Sequence, residues 1–405
     1  MTRVVQKFGG TSVATPAKLR RIASRISQHR RDGDELVVVV SAMGDTTDEL
    51  LALAHRVSSD PPSRELDMLL STGETITAPL LAMALEASGT PAISLTGLQA
   101  GIRTSRAHRT ARIVDVVPQR IVDELERRRV VVVAGFQGVT EELDVTTLGR
   151  GGSDTTAVAL AVSVHADRCE IYTDVAGVFT ADPRVVDEAR VIPQIAFDEM
   201  LEFAAAGARV MHPRAVEIGE AYSMQIVVRS AFDESPGTLI CRDPHMEDRQ
   251  KVRGIAHETD VAKVTLMRVP DRPGVAASIF DPFGSAGINV DIIVQNIGHD
   301  GMTDVSFTIA ESDLRRARRL LGGLARDVAA GGYMATADIA KVTVVGTGLR
   351  GTPSIYAQIF RTLAEAGINI QMISTSEIHV TCIIDRARVR EAVRALHSAF
   401  ELEKI

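Results

Sequence analysis

The stretch "VVQKFGGTSVATP" at residues 4–16 places a lysine and two glycines between an apolar segment and the start of a helical pattern. Glycines between a strand and a helix let backbone N–H groups come close to an anion. Lys7 precedes Gly9 and Gly10, however, so the order is neither that of the P-loop nor that of the dinucleotide-binding Gly-x-Gly-x-x-Gly. The stretch therefore predicts an anion site at the end of a first strand, with the lysine supplied by the strand itself.

Further apolar runs alternate with helix-length segments in the first part of the chain. They are "ELVVVVSA" at 35–42, "AISL" at 92–95, "VVVVAGF" at 130–136 and "CEIYTDV" at 169–175. Short valine and isoleucine runs separated by helices are typical of a mostly parallel sheet flanked by helices, so we predict an α/β fold. Ligands of such sheets bind at the carboxyl ends of the strands. We therefore expect the loops "KFGGTS", "SAMGDTT", "GFQGV" and "YTDVAGVFT" to converge on one site.

A change of pattern divides the chain. The polar stretch "AFDESPGTLICRDPHMEDRQ" near 231–250 contains proline and glycine and indicates a linker. We place one domain at residues 1–245 and a second region at 246–405.

The second region contains an internal repeat. Residues 271–293 align without gaps on residues 351–373, and both copies contain "AGIN". Each copy predicts a helix, two strands and a final helix, which together with a leading strand gives an α+β module of βαββαβ type. The two repeat cores span about 264–330 and 341–400.

Composition limits the classes of partner. The 405 residues carry a net charge of −7, which argues against a nucleic-acid partner. We find no apolar run of membrane-spanning length and no signal-peptide pattern, so we expect a cytoplasmic protein without a membrane partner. Cys169, Cys241 and Cys382 are too few and too widely spaced for a disulfide framework or a zinc site, so no protein-bound metal is expected.

Two arginine-rich segments have open interpretations. The first is "RTSRAHRTAR" at 103–112 and the second is "ELERRRV" at 124–130. We interpret both as solvated surface, while a basic patch near a site for an acidic substrate stays an alternative.

A second group of motifs favours anion binding. In "TTLGRGGSDTTAVALAV" at 146–162, glycines surround Arg150 directly before a helix, so that N–H groups, the helix dipole and a guanidinium lie together. The alternative is a capped helix after a glycine turn. In "YTDVAGVFTADPR" at 172–184, Thr173 and Asp174 come at a strand exit, although a plain strand, turn and charged loop would have this pattern too. Three such elements in one α/β domain suggest phosphoryl transfer.

Taken together, the motifs resemble those of the aspartate kinases of the amino-acid kinase superfamily, and the repeat resembles their paired ACT regulatory domains. The motifs that carry the resemblance are "KFGGTSV", "SAMGDTTDEL", "STGE", "GFQGV", "TTLGRGGSDTTA", "TDVAGVFTADPR", "GARVMHPRA" and "STSEI". The resemblance implies transfer of the ATP γ-phosphoryl group, with Mg2+, to the β-carboxylate of L-aspartate. The product would be 4-phospho-L-aspartate, the entry to lysine, threonine, methionine and isoleucine.

The resemblance also implies roles for individual residues. The catalytic set is Lys7, Glu74, Arg150 and Asp154. The substrate set is Thr47, Glu74, Arg150, Gly151, Gly152, Ser153 and Asp154, in which Glu74 pairs with the ammonium group and Arg150 with a carboxylate. The ATP set is Lys7, Gly9, Gly10, Ser41, Thr173, Asp174, Phe179, Thr180, Arg184 and Arg209, with Asp174 a candidate for contact with Mg2+. Arg209 stands where many relatives have a lysine.

For the regulatory region the resemblance implies inhibition by lysine, threonine or both. The candidate effector residues are Asp271, Gly274, Ala276, Gln295, Asn296, Asn369, Ile370, Thr375 and Glu377. The two modules could instead serve assembly only. Expected assemblies are a homo-oligomer, or an α2β2 complex with a same-frame regulatory chain started at Met246, which is otherwise an ordinary linker methionine.

Two further hypotheses about function stay open. The chain could be an aspartate kinase of a specialised pathway with altered feedback, or a catalytically silent amino-acid sensor that uses only the ACT modules. Retention of Lys7, Glu74, Arg150 and Asp174 together argues against the silent sensor.

Overall fold

The computed structural model describes residues 2–405 except for 32, 209, 243–250, 297, 299 and 350. The chain divides into two compact units. Unit 1 contains Met1–Val178, Val191–Ala204 and Arg209–Glu247, and unit 2 contains Phe179–Arg190, Ala205–Ala208 and Asp248–Ile405. The predicted boundary between residues 245 and 246 falls outside the described residues and stays a prediction. Two short segments before it belong to unit 2, which the sequence pattern did not suggest.

Unit 1 is built from twelve described strands and nine described helices. The strands are β1 (Arg3–Phe8), β2 (Glu35–Val40), β3 (Ala92–Leu95), β4 (Ile102–Thr104), β5 (Ile113–Val116), β6 (Val130–Ala134), β7 (Gln137–Val139), β8 (Val145–Thr147), β9 (Arg168–Thr173), β10 (Gln194–Ala196), β11 (Ile226–Ser230) and β12 (Thr238–Cys241). The helices are α1 (Gly10–Val13), α2 (Pro16–Arg31), α3 (Thr46–Val57), α4 (Ser63–Leu70), α5 (Thr72–Ala87), α6 (Gln119–Glu126), α7 (Gly152–Ser163), α8 (Phe197–Ala205) and α9 (Pro213–Tyr222).

The predicted parallel sheet is present. Eight strands lie in the order β10-β12-β11-β9-β1-β2-β6-β3. The neighbours from β11 to β3 pair in parallel, and β12 runs antiparallel to β11. A separate four-stranded sheet has the order β5-β4-β7-β8.

Successive side chains of β1 point alternately to the apolar core and to the candidate site. Val4 and Phe8 are buried in a cluster with Ile26 of α2 and Leu81 of α5. Side chains at odd and even positions of a strand point to opposite faces, so Lys7 points to the other face, on which α7 packs. The strand that forms the core thus also delivers the lysine.

Helical residues 63–87 match a membrane span by length and mean hydropathy (1.4). Ala78, Leu81 and Leu85 are nevertheless buried against the sheet and α2. Because this apolar face is already covered by protein, we interpret the segment as a core helix.

The arginines of the segment 124–130 are exposed, as expected, but two of them pair with a buried acid. The carboxylate of Glu124 on α6 is completely buried, and Arg120, Arg127 and Arg129 reach it at 3.0, 3.0 and 3.1 Å. Solvated arginines at 127 and 129, together with Arg120 on α6, therefore also neutralise the buried carboxylate of Glu124.

Unit 2 contains the two predicted modules. Its strands are β13 (Gly254–Glu258), β14 (Val261–Pro270), β15 (Val290–Gln295), β16 (Met302–Ala310), β17 (Gly332–Thr336), β18 (Ile339–Val345), β19 (Ile370–Thr375) and β20 (His379–Asp385). Its helices are α10 (Val275–Ser285), α11 (Leu314–Asp327), α12 (Pro353–Glu365) and α13 (Val389–Ala399). The helices and strands of both repeat copies are confirmed.

The two modules complete their sheets differently. The first sheet has the order β15-β16-β14-β17, and its last strand, β17, follows the final helix of the module, α11, in the chain. The second has the order β13-β18-β20-β19, and β13 precedes the whole first module in the chain. The core of this second module also contains Ala181, Val185, Val186 and Ala189 from the segment 179–190. The second module is therefore assembled from three separate stretches of sequence.

Candidate active site

Four strand ends form one edge in unit 1. Strands β9, β1, β2 and β6 are consecutive in the sheet, and the loop after each bonds to its neighbour. The amide of Gly9 donates to Tyr172 O at 3.3 Å, that of Ser41 to Phe8 O at 3.1 Å, and that of Gly135 to Val40 O at 3.0 Å. The four strand ends thus lie side by side as predicted, although Phe179 and Thr180, at the end of the loop after β9, belong to unit 2.

The glycine pair allows two of these loops to touch. A Cβ on Gly10 would lie 2.8 Å from Ala42 O, and the amide of Gly44 donates to Gly10 O at 3.1 Å. A side chain at position 10 would therefore separate the loops. Since the amide of Gly9 already bonds to Tyr172 O, its role as a donor to phosphate stays a prediction.

Lys7 has an anionic partner within the protein. Its Nζ lies 2.5 Å from Asp154 Oδ1, and the two side chains are only 12% and 11% exposed. Asp154 is in the first turn of α7, where the helix dipole stabilises a negative charge. The costly burial of a lysine is thus offset by a carboxylate, and the ammonium group is held at the strand edge where an anion would bind.

Glu74 is a buried carboxylate with one hydrogen-bonded oxygen. It lies in the first turn of α5 and is 3% exposed. Its Oε1 accepts from the amide of Ala42 at 3.0 Å, whereas its Oε2 is buried and has no hydrogen-bond partner among the described residues. Burial raises the pKa of Glu74 to about 7, against the opposing effect of the backbone amides. An ammonium group bound at Oε2 would satisfy this oxygen.

Residues 147–152, which we call the glycine-arginine loop, lead into α7. Gly149 and Gly151 have φ values of +77° and +66°. A Cβ on Gly151 would lie 2.2 Å from the Cβ of His212, and one on Gly152 would lie 2.8 Å from the Phe136 ring. Arg150 is exposed between these tightly packed glycines. The arrangement presents a guanidinium beside the N-terminus of a twelve-residue helix.

The remaining substrate and nucleotide residues of unit 1 lie near strand ends or helix starts. Ser41 follows β2, Thr47 is in the first turn of α3, and Ser153 is buried in the first turn of α7. Thr173 ends β9, and its hydroxyl lies 3.1 Å from Oδ1 of the exposed Asp174.

Three of the predicted nucleotide residues do not belong to unit 1, which contains the other described ones. Phe179, Thr180 and Arg184 belong to unit 2. Thr180 is completely buried, and its hydroxyl bonds to His397 Nε2 at 2.9 Å and accepts from the amide of Arg190 at 3.0 Å. Arg184 bonds to Asp182 at 2.7 Å and holds the pKa of that carboxyl below its usual value. Arg209 lies outside the described residues, so all four assignments to the nucleotide stay predictions.

Comparison with known proteins supplies the family. Residues 2–230 match the amino acid kinase family, and residues 263–326 and 342–400 each match an ACT domain. An aspartate kinase of Stutzerimonas stutzeri is 49% identical over 404 residues, which cover 100% of this chain and 98% of that protein. The chain belongs to the aspartate kinase family.

Solved aspartate kinases share the whole fold. Aspartokinase III of E. coli in complex with aspartate and ADP has a TM-score of 0.83 at 26% identity, over 98% of this chain and 99% of that one. The same enzyme in complex with lysine and aspartate has a TM-score of 0.77 with the same identity and coverage.

In this aspartate kinase the predicted effector residues lie around the start of α10 in the first module and at the ends of β15 and β19, the strands that follow the first helix of each module. Gly274 caps α10 with a φ of +90° and lines a small cavity with Arg272, Ser278 and Asp327. Gln295 ends β15, and Ile370 begins β19. All nine are exposed except Ile370, which is half-buried: Asp271, Gly274, Ala276, Gln295, Asn296, Asn369, Ile370, Thr375 and Glu377. Their effector role stays a prediction.

Sequence reasoning missed four residues that support the glycine-arginine loop. They are Asp67, Phe136, His212 and Arg214, which bond to or pack against this loop of the aspartate kinase. One signal was available, because Asp67 stands within the apolar stretch "LDMLL", where a carboxylate has to find donors if it is buried.

A substitution at Gly151 tests how tightly the loop is packed. We expect Gly151→Ala to destabilise the protein by more than the about 1–2 kcal/mol that a left-handed alanine costs, because its Cβ would also overlap His212. Gly89→Ala is the matched control, since Gly89 has a φ of +77° and no atom within 4 Å of its added Cβ. Urea unfolding measures both variants, and equal losses would show that the loop yields without cost.

Proposed function

We propose that this chain transfers the γ-phosphoryl group of ATP to the β-carboxylate of L-aspartate and forms 4-phospho-L-aspartate and ADP. The observation that carries the proposal is the pair of opposite receptors at one strand edge. Glu74 Oε2 is buried without a hydrogen-bond partner among the described residues and, when ionised, suits a cationic group, while Lys7 offers a cation to an anion. Glu74 bonds to Ala42, and the preceding Ser41 bonds to Phe8, which adjoins Lys7. An amino acid with an additional carboxylate suits both ends of such a site.

The reaction follows from the charges. The aspartate β-carboxylate is ionised at neutral pH and requires no general base. Its oxygen forms a bond to the γ-phosphorus, while the bond from that phosphorus to the β–γ bridging oxygen breaks and ADP leaves with the electron pair. Lys7 would stabilise the charge on the transferring group, and Arg150 would bind the α-carboxylate in bidentate fashion. The protein's contribution is thus positioning and charge neutralisation.

The nucleotide would lie on the β9 side, with Thr173 and Asp174. Mg2+ carried by ATP prefers carboxylate oxygens, and the exposed carboxylate of Asp174 at the end of β9 suits it. No group of three or more metal-ligating side chains was found in the described part of the chain. The ion would be held mainly by the phosphates, where it would neutralise their charge.

We further propose that lysine, threonine or both inhibit the enzyme through the ACT modules, and that it works in the cytoplasm. Each module has an open sheet edge, β15 in the first and β19 in the second, which favours assembly of a homo-oligomer. The alternative α2β2 assembly depends on Met246, which lies outside the described residues. An aspartate kinase of a specialised pathway with altered feedback is the alternative to this regulation.

ADP formation in a coupled assay tests these proposals. We expect turnover with ATP and L-aspartate and none with N-acetyl-L-aspartate, because the acetyl group removes the ammonium that Glu74 would bind. Lysine and threonine are then added singly and together, and inhibition is expected. ADP formation no faster than with ATP alone would exclude the enzyme and favour the sensor. Undiminished turnover with both effectors would exclude the feedback proposal.

A further inference from the structure

Asp67 is a completely buried carboxylate to which the reaction assigns no role. Its two oxygens accept from the amide of Arg109 at 3.1 and 2.9 Å, from the amide of Thr147 at 3.1 Å and from the hydroxyl of Thr147 at 2.6 Å. Nδ1 of His108 lies 2.9 Å away. Asp67 therefore joins α4 to two segments, residues 108–109 and the start of the glycine-arginine loop.

Arg214 on α9 binds the same two segments from their carbonyl side. Its Nη1 donates to Leu148 O at 2.7 Å and its Nη2 to Ala111 O at 2.8 Å. The amide of Ala111 also donates to Thr147 O at 3.0 Å. The Asp67 carboxylate thus accepts hydrogen bonds from N–H groups of these two segments, and the Arg214 guanidinium donates to their carbonyl groups.

These contacts end two residues before Arg150. Beyond Leu148, whose amide donates to Phe136 O at 2.9 Å, the loop touches His212 at Gly151. Arg109 and Phe136 hold left-handed conformations, with φ values of +69° and +68°, and such strain persists only where the surroundings impose it. The base of the loop is consequently fixed, whereas the Arg150 side chain extends into solvent.

We propose that Asp67 and Arg214 are positioning residues that fix the glycine-arginine loop so that Arg150 meets a carboxylate of the amino-acid substrate. The proposal rests on the proposed function, since Arg150 is taken there as the receptor of that carboxylate. Both act through the loop, since their described partners are all protein groups. A shift of the loop by about 1 Å is sufficient to weaken productive binding by up to about a hundredfold.

The test separates aspartate binding from ATP binding. For Asp67→Asn we expect the KM for aspartate to rise at least about tenfold, while the KM for ATP changes by less than about twofold. Arg214→Lys keeps the charge but loses the forked guanidinium that reaches two carbonyls. We expect the same selective rise in the KM for aspartate. Glu65→Gln, on the same helix but exposed, and Arg112→Lys, exposed beside Ala111, are the matched controls and should leave both KM values unchanged.

Equal changes in both KM values, or none, would overturn the proposal. If Asp67→Asn does not fold, the two KM values of Arg214→Lys decide whether the proposal holds. Hydrogen exchange provides a readout that does not depend on turnover: amides of residues 149–152 should exchange faster in either variant, and those of residues 9–13 at the wild-type rate. If the wild type phosphorylates no aspartate, the proposed function fails, while unchanged exchange at 149–152 would still refute the positioning role.

Discussion

Replacement of Lys7 by alanine is expected to lower kcat by about 10²–10³-fold or more, as the loss of one preorganised charge from a transition state does. Lys7→Met is the sharper variant because it keeps the aliphatic stem and removes only the ammonium group. In both variants Asp154 loses the cation that lies 2.5 Å from it, so its negative charge would face the incoming phosphates. The loss in kcat should accordingly exceed the change in the KM for ATP.

A double variant separates the two effects of this ion pair. Lys7→Met combined with Asp154→Asn removes both charges, so the unfolding free energy should recover relative to Lys7→Met alone, because no unpaired carboxylate remains. Its kcat should stay low, because the transferring group still lacks its cation. Lys404→Met, which breaks an exposed pair with Glu401, is the control and should have wild-type kcat. A near-normal kcat in Lys7→Met would refute the role assigned to Lys7.

The sequence was most informative where the signal is local. The run from Val4 to Gly10 predicts a strand, a turn and an anion site, because strand period and glycine conformation are properties of neighbouring residues. The ACT repeat was equally accessible, since its two copies can be compared directly. Family resemblance added the pairing of Glu74 with an amino group, for which the half-satisfied carboxylate now gives a physical reason.

What could not be predicted depends on contacts between distant parts of the chain. Nothing near Lys7 identifies Asp154 as its partner, and nothing near β13 shows that this strand completes the second ACT sheet. The segment 179–190 resembles a nucleotide loop in its local sequence, yet its apolar residues are buried in unit 2. Asp67 illustrates the same limit, because its donors come from two loops that only the fold brings together.

The kcat/KM for aspartate should depend on pH through the ionisation of Glu74. Because burial raises the pKa of Glu74 to about 7, the free enzyme holds much of this carboxyl in its neutral form below that pH. A neutral carboxyl cannot pair with the aspartate ammonium group, so kcat/KM for aspartate should fall toward tenfold per unit as pH decreases below about 7. Aspartate bound at Glu74 would stabilise the ionised form and lower this pKa, so kcat at saturation should depend on pH less steeply.

Glu74→Gln tests the assignment. The amide oxygen can still accept from Ala42, but the NH₂ group would meet the ammonium of aspartate donor to donor, so we expect the KM for aspartate to rise by about 10²-fold and the limb near pH 7 to vanish. Glu86→Gln is the matched control, because Glu86 lies on the same helix and also accepts a backbone amide, at 2.7 Å from Ala92, but is exposed. A pH limb that persists in Glu74→Gln would assign the titration to another group.

Stability should respond in the opposite sense from activity. Since the folded-state pKa of Glu74 lies above its usual value of 4.5, the folded protein binds more protons than the unfolded chain between about pH 4.5 and 7. The contribution of Glu74 to the unfolding free energy is therefore fully present below pH 4.5 and is lost as pH rises through about 7, whereas kcat/KM increases over the same range. Glu74→Gln should abolish both trends, and urea unfolding at several pH values measures the first. If the unfolding free energy of the wild type and of Glu74→Gln depended on pH identically, the buried carboxyl would already be paired in the free enzyme, and the site would have no unsatisfied oxygen for an ammonium group.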